Sequence, residues 1–317
     1  MYRSILVPLD GSAFGEQALP LALSIARRSG AELQLVHVNP PLAAIFTETP
    51  LYVDRELERE IQARHEAHVT EYLQGVSKTI TDVAKIPVRL VVMQGEIAAS
   101  LIKQATDGGA DLVVMTTHAR GPMGRFWLGS VTDELERKLS VPLLLTQPHD
   151  AKLDLSKDIV FRHILVPLDG SELSEQIIEP ALALGELMTS EFTLLRVVKP
   201  VFPPSYPMEG SSFGQVAQAI VDQVQVAQEK MVADARAYLE KVGERFRAKS
   251  LKVQTHVIVE PKPALGILDA LESPAIDCVA LATHGRSGLA RLFRGSVADK
   301  VIRGATVPVF VLRPEEK

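Results

Sequence analysis

The amino-acid sequence predicts an α/β fold of two doubly wound, parallel, five-stranded sheets, one in each half of the chain, and three observations carry the prediction. Ile5 to Ser12 reads ILVPLDGS and Ile164 to Ser171 reads ILVPLDGS again, the mark of a duplicated unit. In each copy, short β-branched runs alternate with longer stretches whose apolar residues recur at helical spacing. The strand-like runs are apolar without interruption, which suits parallel strands covered on both faces by helices and joined by right-handed crossovers. A chain of 317 residues has room for two such units, each able to bury its own core.

The first copy opens on Ile5-Leu6-Val7-Pro8-Leu9, a strand stopped by the turn residues Asp10-Gly11-Ser12. Ala18, Leu21, Ala22, Ile25 and Ala26 then line one helical face, and Gly30 stands where that helix should end. A strand to Val38, a Pro-rich loop and a long helix from about Asp54 to Gly75 follow. Val88 to Met93 reads as a strand, Glu96 to Asp107 as a helix and Leu112 to Thr116 as a strand; helix Ser130 to Leu139 and strand Leu143 to Thr146 close the unit. The second copy answers with Ile177, Ala181, Leu184 and Met188 on its first helix. Met231, Ala235, Tyr238 and Val242 mark its long helix, and Val309 to Leu312 its last strand.

Further matches keep the same order in both halves: Glu16-Gln17 with Glu175-Gln176, Thr117 to Arg120 with Thr283 to Arg286, Gly129-Ser130-Val131 with Gly295-Ser296-Val297. The separation grows from 159 residues at the first strand to 166 at the later matches, so the second copy carries seven extra residues. These fall in Pro200 to Gly214, too rich in Pro, Gly and Ser to continue a strand or helix, and expected to form a lid beside a ligand crevice. The polar stretch Gln147 to Asp158 reads as a linker, giving domains 1–149 and 159–317. Val141 to Leu145 and Val307 to Leu312 are apolar last strands expected at sheet edges, and pairing of those edges predicts an intrachain pseudo-twofold dimer. Association of whole chains into a further homo-oligomer stays open.

Composition excludes several function classes. Lys and Arg total 34 against 39 Asp and Glu, a net charge of -5, which argues against electrostatic wrapping of nucleic acid or binding to an acidic membrane. No apolar run approaches 18 residues, and the start Met1-Tyr2-Arg3-Ser4 leads into a strand rather than a signal core, so a cytoplasmic location is expected. The single cysteine, Cys278, excludes an intrachain disulfide. His118 and His284 have no second histidine or cysteine at ligand spacing, so no metal site is expected there. No nucleophile, base and orienting residue assemble at convincing spacing, and neither G-x-x-x-x-G-K-[ST] nor G-x-S-x-G occurs, so no enzyme is expected.

Strand order 3-2-1-4-5 sets strands one and four side by side at a topological switch point, where such sheets bind ligands. The residues repeated most closely follow those two strands. After strand one, the carboxylates of Asp10 and Asp169 suit ribose hydroxyls or a magnesium ion, although Asp-Gly-Ser is also ordinary turn chemistry. After strand four, Gly129-Ser130 and Gly295-Ser296 each open a helix whose unpaired N–H groups and dipole favour an anion. The alternative is a capping pattern, Ser130 with Asp133 and Ser296 with Asp299.

The segment after strand four resembles the G-x2-G-x9-G-[ST] phosphate loop of nucleotide-binding universal stress proteins, and nearly the whole chain resembles a tandem member of that family. The second copy runs Ala282-Thr283-His284-Gly285, nine residues, then Gly295-Ser296, keeping two of three glycines. The first runs Thr116-Thr117-His118-Ala119, nine residues, then Gly129-Ser130, keeping one. The resemblance implies a stress-response regulator that binds an adenine nucleotide, ATP foremost and accompanied by Mg2+, with protein partners besides. It places the chief site at Asp169, Val197, Thr283, His284, Gly285, Arg286, Gly295, Ser296 and Val297, and a weaker or vestigial one at Asp10, Val38, His118, Ala119, Gly129, Ser130 and Val131. Val38 and Val197 would offer backbone to the adenine edge. A left-handed conformation costs Ala119 about 1–2 kcal/mol that Gly285 does not spend, some five- to thirtyfold in affinity. Two other readings stay open: an interaction scaffold of the same fold without nucleotide, and a slow ATP-cleaving or adenylyl-transferring enzyme.

Overall fold

A computed structural model describes residues 2–41, 55–117, 129–147, 153–202, 213–283 and 297–314. The first unit runs β1 (Ser4–Pro8), α1 (Leu19–Ser29), β2 (Glu32–Asn39), α2 (Arg55–Val83), β3 (Val88–Gln94), α3 (Ile97–Asp107), β4 (Leu112–Thr116), α4 (Ser130–Lys138) and β5 (Leu143–Thr146). The second runs β6 (His163–Pro167), α5 (Glu172–Glu175), α6 (Ile178–Met188), β7 (Glu191–Val198), α7 (Phe213–Arg247), β8 (Val253–Val259), α8 (Pro263–Leu271), β9 (Cys278–Ala282), α9 (Val297–Gly304) and β10 (Val309–Leu312).

Local chemistry sets these boundaries. Gly30 ends α1 at φ 73°, returning its N–H to the Ala26 carbonyl at 2.8 Å, as a left-handed cap requires. The Glu96 side chain caps α3 by accepting from the amides of Ala98 and Ala99. The long helix departs from expectation, passing Gly75 and ending at Val83. A Cβ at Gly75 would meet only open space, so that glycine answers to no turn. The β-branched run beyond it continues as helix because Ile80 is fully buried and Thr79 returns its hydroxyl to the Gly75 carbonyl at 3.0 Å: tertiary burial overrides propensity.

The strands form one ten-stranded sheet in the order β3-β2-β1-β4-β5-β10-β9-β6-β7-β8. Each half therefore reads 3-2-1-4-5 from its outer edge to the centre, parallel throughout. At the centre β5 and β10 pair antiparallel, Leu145 with Val309, Leu144 with Phe310 and Leu143 with Val311, so the two units make an intrachain pseudo-dimer about these strands. Leu144 and Phe310 point to the face covered by α1, α2, α6 and α7. Their neighbours point to the face covered by α3, α4, α8 and α9. Each apolar layer runs unbroken across both units.

The connecting segment packs back on the first unit. Leu155 and Phe161 are buried, Arg27 donates to the Leu155 carbonyl at 2.6 Å, and the Ile159 amide donates to Ser24 Oγ at 2.8 Å. Among the described residues no helix is long and apolar enough to cross a membrane.

Candidate nucleotide crevices

β1 and β4 pair only at Ile5 with Leu112 and Leu6 with Val113, and β6 and β9 only at Ile164 with Cys278 and Leu165 with Val279. Beyond those pairs the chain leaves β1 for one face and β4 for the other, opening a crevice at the carboxyl ends of the strands in each unit. The first is a cavity of 560 Å³ whose wall brings together Asp10, Val38, Gly129, Ser130 and Val131. The second, of 360 Å³, brings together Asp169, Val197 and Val297. Thr283 is buried beside Ala282 rather than part of the wall, its N–H donated to the Leu312 carbonyl at 2.8 Å. His118, Ala119, His284, Gly285, Arg286, Gly295 and Ser296 lie outside the described residues, as does most of the expected lid.

The carboxylates are held by the turns they belong to. Asp10 Oδ1 accepts from the Ser12 amide at 3.0 Å and its hydroxyl at 2.6 Å, and Asp169 Oδ1 accepts from Ser171 at 2.9 and 2.6 Å. Gly11 and Gly170 take φ of 80° and 81° to close these turns, a conformation that suits glycine. Turn chemistry and a site role are thus compatible, because the same bonds orient each carboxylate on the crevice wall. A Cβ at Gly15 would stand 2.7 Å from Asp10 Oδ1, so that glycine also leaves the carboxylate its place.

At the opposite wall the capping reading fails for the first unit. Gly129, not Ser130, is the N-cap of α4, with no side-chain cap bond, and Ser130 is the first helical residue. Asp133 instead pairs with Arg137 and with Arg303 of the second unit. The shift of one position leaves the helix start without a side-chain acceptor among the described residues, on a crevice wall where a bound anion would complete it.

The two crevices differ in chemistry. In the first, Thr116 and Thr132 are 3% and 1% exposed and their hydroxyls have no hydrogen-bond partner among the described residues. Both line the cavity, and buried hydroxyls left unpaired are costly. Ala282 and Ala298 take their places in the second. His37 and His65 also line the first crevice, their rings edge to face with centroids 6.4 Å apart. Burial holds the His37 pKa below its ordinary 6.5, with His65 adding to the drop and Asp10 opposing it. At the position of His37 the second unit has Arg196, stacked on the Tyr238 ring at 5.3 Å and pressed over Gly170.

Sequence reasoning missed Tyr72 and Tyr238. Each donates its hydroxyl at 2.9 Å to the repeated glutamate, Glu16 or Glu175, fastening the long helix beside the aspartate turn. Their 166-residue separation was the available signal. Among the described residues no three His, Cys, Asp or Glu side chains gather as a metal site.

Comparison with known proteins agrees with this architecture. The model of the universal stress protein family matches twice, over residues 1–147 and 161–313. The chain belongs to the universal stress protein family. It is 26% identical to a universal stress protein of Mycolicibacterium smegmatis over 319 residues, covering 98% of this chain and 97% of that one. It is 25% identical to one of Mycobacterium tuberculosis, again covering 98% and 97%. Among solved structures, a universal stress protein from Archaeoglobus fulgidus aligns over 99% of this chain and 97% of its own, with TM-score 0.66 and 20% identity. Two universal stress domains in one chain of this length are thus a shared arrangement.

Proposed function

We propose that this universal stress protein is a regulator that works by binding an adenine nucleotide, with ATP the leading candidate, at the switch-point crevice of its units. One observation carries the reading: the carboxylate after the first strand and the start of the helix after the fourth line a single cavity, in the first unit as Asp10 with Gly129 to Val131. The carboxylate meets sugar hydroxyls and the uncapped helix start meets phosphate. The unpaired hydroxyls of Thr116 and Thr132 are the buried groups such a polar ligand would satisfy. Mg2+, if it accompanies the phosphates, would draw on Asp10 or Asp169. The protein acts in the cytoplasm by signalling its nucleotide state to protein partners, without turnover of its own.

Gly285 in place of Ala119 makes the second unit the chief phosphate site. A contrary reading, with the first unit as the chief site, is favoured by its larger cavity and its unpaired hydroxyls. Titration of ATP into the parent, Gly129→Val and Gly295→Val chains decides between them. Loss on the Gly295 change alone supports the second unit, and loss on the Gly129 change alone reverses the assignment. A parent that binds nothing at millimolar nucleotide leaves the scaffold reading, and steady production of ADP or AMP would establish the enzymatic one.

A further inference from the structure

Thr116 is the last residue of β4, and Thr132 stands in the first turn of α4, just after the N-cap Gly129. Both side chains line the first crevice, 3% and 1% exposed, and neither hydroxyl has a hydrogen-bond partner among the described residues. Two such groups in one wall are costly, because each gives up water on folding without a replacement. The fold does not demand them. At the matching positions the second unit has Ala282 and Ala298, on the wall of the matching crevice. The first cavity is also the larger, 560 against 360 Å³, although its wall carries the bulkier residues.

The surroundings choose the chemistry of a group that would satisfy these hydroxyls. Thr132 shares the first turn of α4 with backbone N–H groups that no side chain caps among the described residues. Donors therefore gather there, and an oxygen carrying negative charge is the acceptor that suits them all. Asp10 lies on the opposite wall, where its carboxylate repels an anion and leaves it the α4 side. Ile97 and Leu101, also in the wall, offer neither hydroxyl a bond. A turn about χ1 exchanges the hydroxyl and methyl of a threonine, so each can present its oxygen to the cavity that its side chain lines.

We propose that Thr116 and Thr132 are ligand-binding residues of the first crevice, donating their hydroxyls to a phosphoryl oxygen held at the start of α4. With alanine at both positions, the second crevice lacks this means of holding phosphate. The proposal rests on the nucleotide reading of the first crevice and holds whichever unit binds more tightly. A hydrogen bond to a charged oxygen supports an effect of about tenfold in affinity.

The test is ATP binding by calorimetry to the full chain, carried out in a Gly295→Val background so that the first crevice alone reports. Thr116→Val and Thr132→Val, which keep the shape and lose the hydroxyl, should each weaken ATP by about tenfold, while Thr116→Ser and Thr132→Ser stay within about threefold. Without ATP, the same valine variants should unfold about 2 °C above their background, since each removes an unpaired buried hydroxyl. A lower midpoint marks a structural bond and overturns the inference. Phosphorus NMR of bound ATP should show a resonance that moves between the background and each valine variant. Affinity lost with every resonance in place puts the hydroxyls on the sugar or base and overturns the phosphate assignment. Unchanged ATP affinity in both valine variants overturns the inference and leaves the nucleotide reading intact. ATP bound by the Gly129→Val chain but not by the Gly295→Val chain confines nucleotide to the second crevice and overturns the inference alone. A parent that binds no ATP removes the nucleotide reading and this inference with it.

Discussion

Arg303 of the second unit donates to Asp133 of the first at 3.2 Å while its Nε donates to Asp299 of its own helix at 2.8 Å. Asp133 also receives Arg137, so one carboxylate joins a guanidinium from each unit. These groups are only partly exposed, which limits screening by salt. Replacing Arg303 by Met is expected to lower stability by about 1 kcal/mol. Urea unfolding should record this as a lower midpoint with unchanged slope, because the apolar layers cross the unit boundary and both units unfold together.

Gly185 on α6 and Phe192 on β7 meet so closely that a Cβ at 185 would lie 2.1 Å from the ring. The first unit solves the same contact with Ala26 and Leu33, trading a methyl on the helix for a smaller side chain on the strand. Gly185→Ala is expected to destabilise by about 1–3 kcal/mol through overpacking. Adding Phe192→Leu should recover much of that loss, giving a double variant less destabilised than the sum of the singles. Additive losses in denaturant titrations would contradict the pairing.

Thr189 ends α6 in the left-handed conformation at φ 60°, at the position where Gly30 ends α1. A β-branched residue there is strained. Thr189→Gly should stabilise the chain by about 1 kcal/mol and Gly30→Thr should cost at least as much, both measured as shifts in thermal midpoint.

Burial raises the Glu136 carboxyl above its ordinary 4.5, with Asp133 and Asp299 adding to the rise and Thr283 and Arg137 opposing it. A raised value means the folded chain holds this proton more tightly than the unfolded one. The resulting stability is fully present below 4.5 and is lost as pH rises through the folded value. Glu136→Gln should therefore be more stable than the parent well above that value, and the difference should vanish below 4.5. A difference constant with pH in parallel unfolding curves would exclude the ionisation as its cause.

Repetition, apolar periodicity and turn residues made most of the fold legible. ILVPLDGS fixed where each unit begins, and the unbroken apolar strands required cover on both faces. These are local or pattern-level properties, and the switch-point crevice with Asp10, Asp169 and the helix start at Gly129 followed from them through the strand order they imply. The helix beyond Gly75 was not legible, because Ile80 is held by burial that no local propensity records. Nor was the cap at Gly129, because Ser130 and Asp133 read as a capping pattern in the sequence while in the fold Asp133 pairs with Arg137 and Arg303. The different chemistry of the two crevices, Thr116 and Thr132 against Ala282 and Ala298, was written in the chain but had no meaning until packing placed those positions in one wall. The reach of Arg303 to Asp133 was decided by tertiary structure alone, because sequence specifies which residues can bond and only the antiparallel joining of β5 to β10 decides which ones meet.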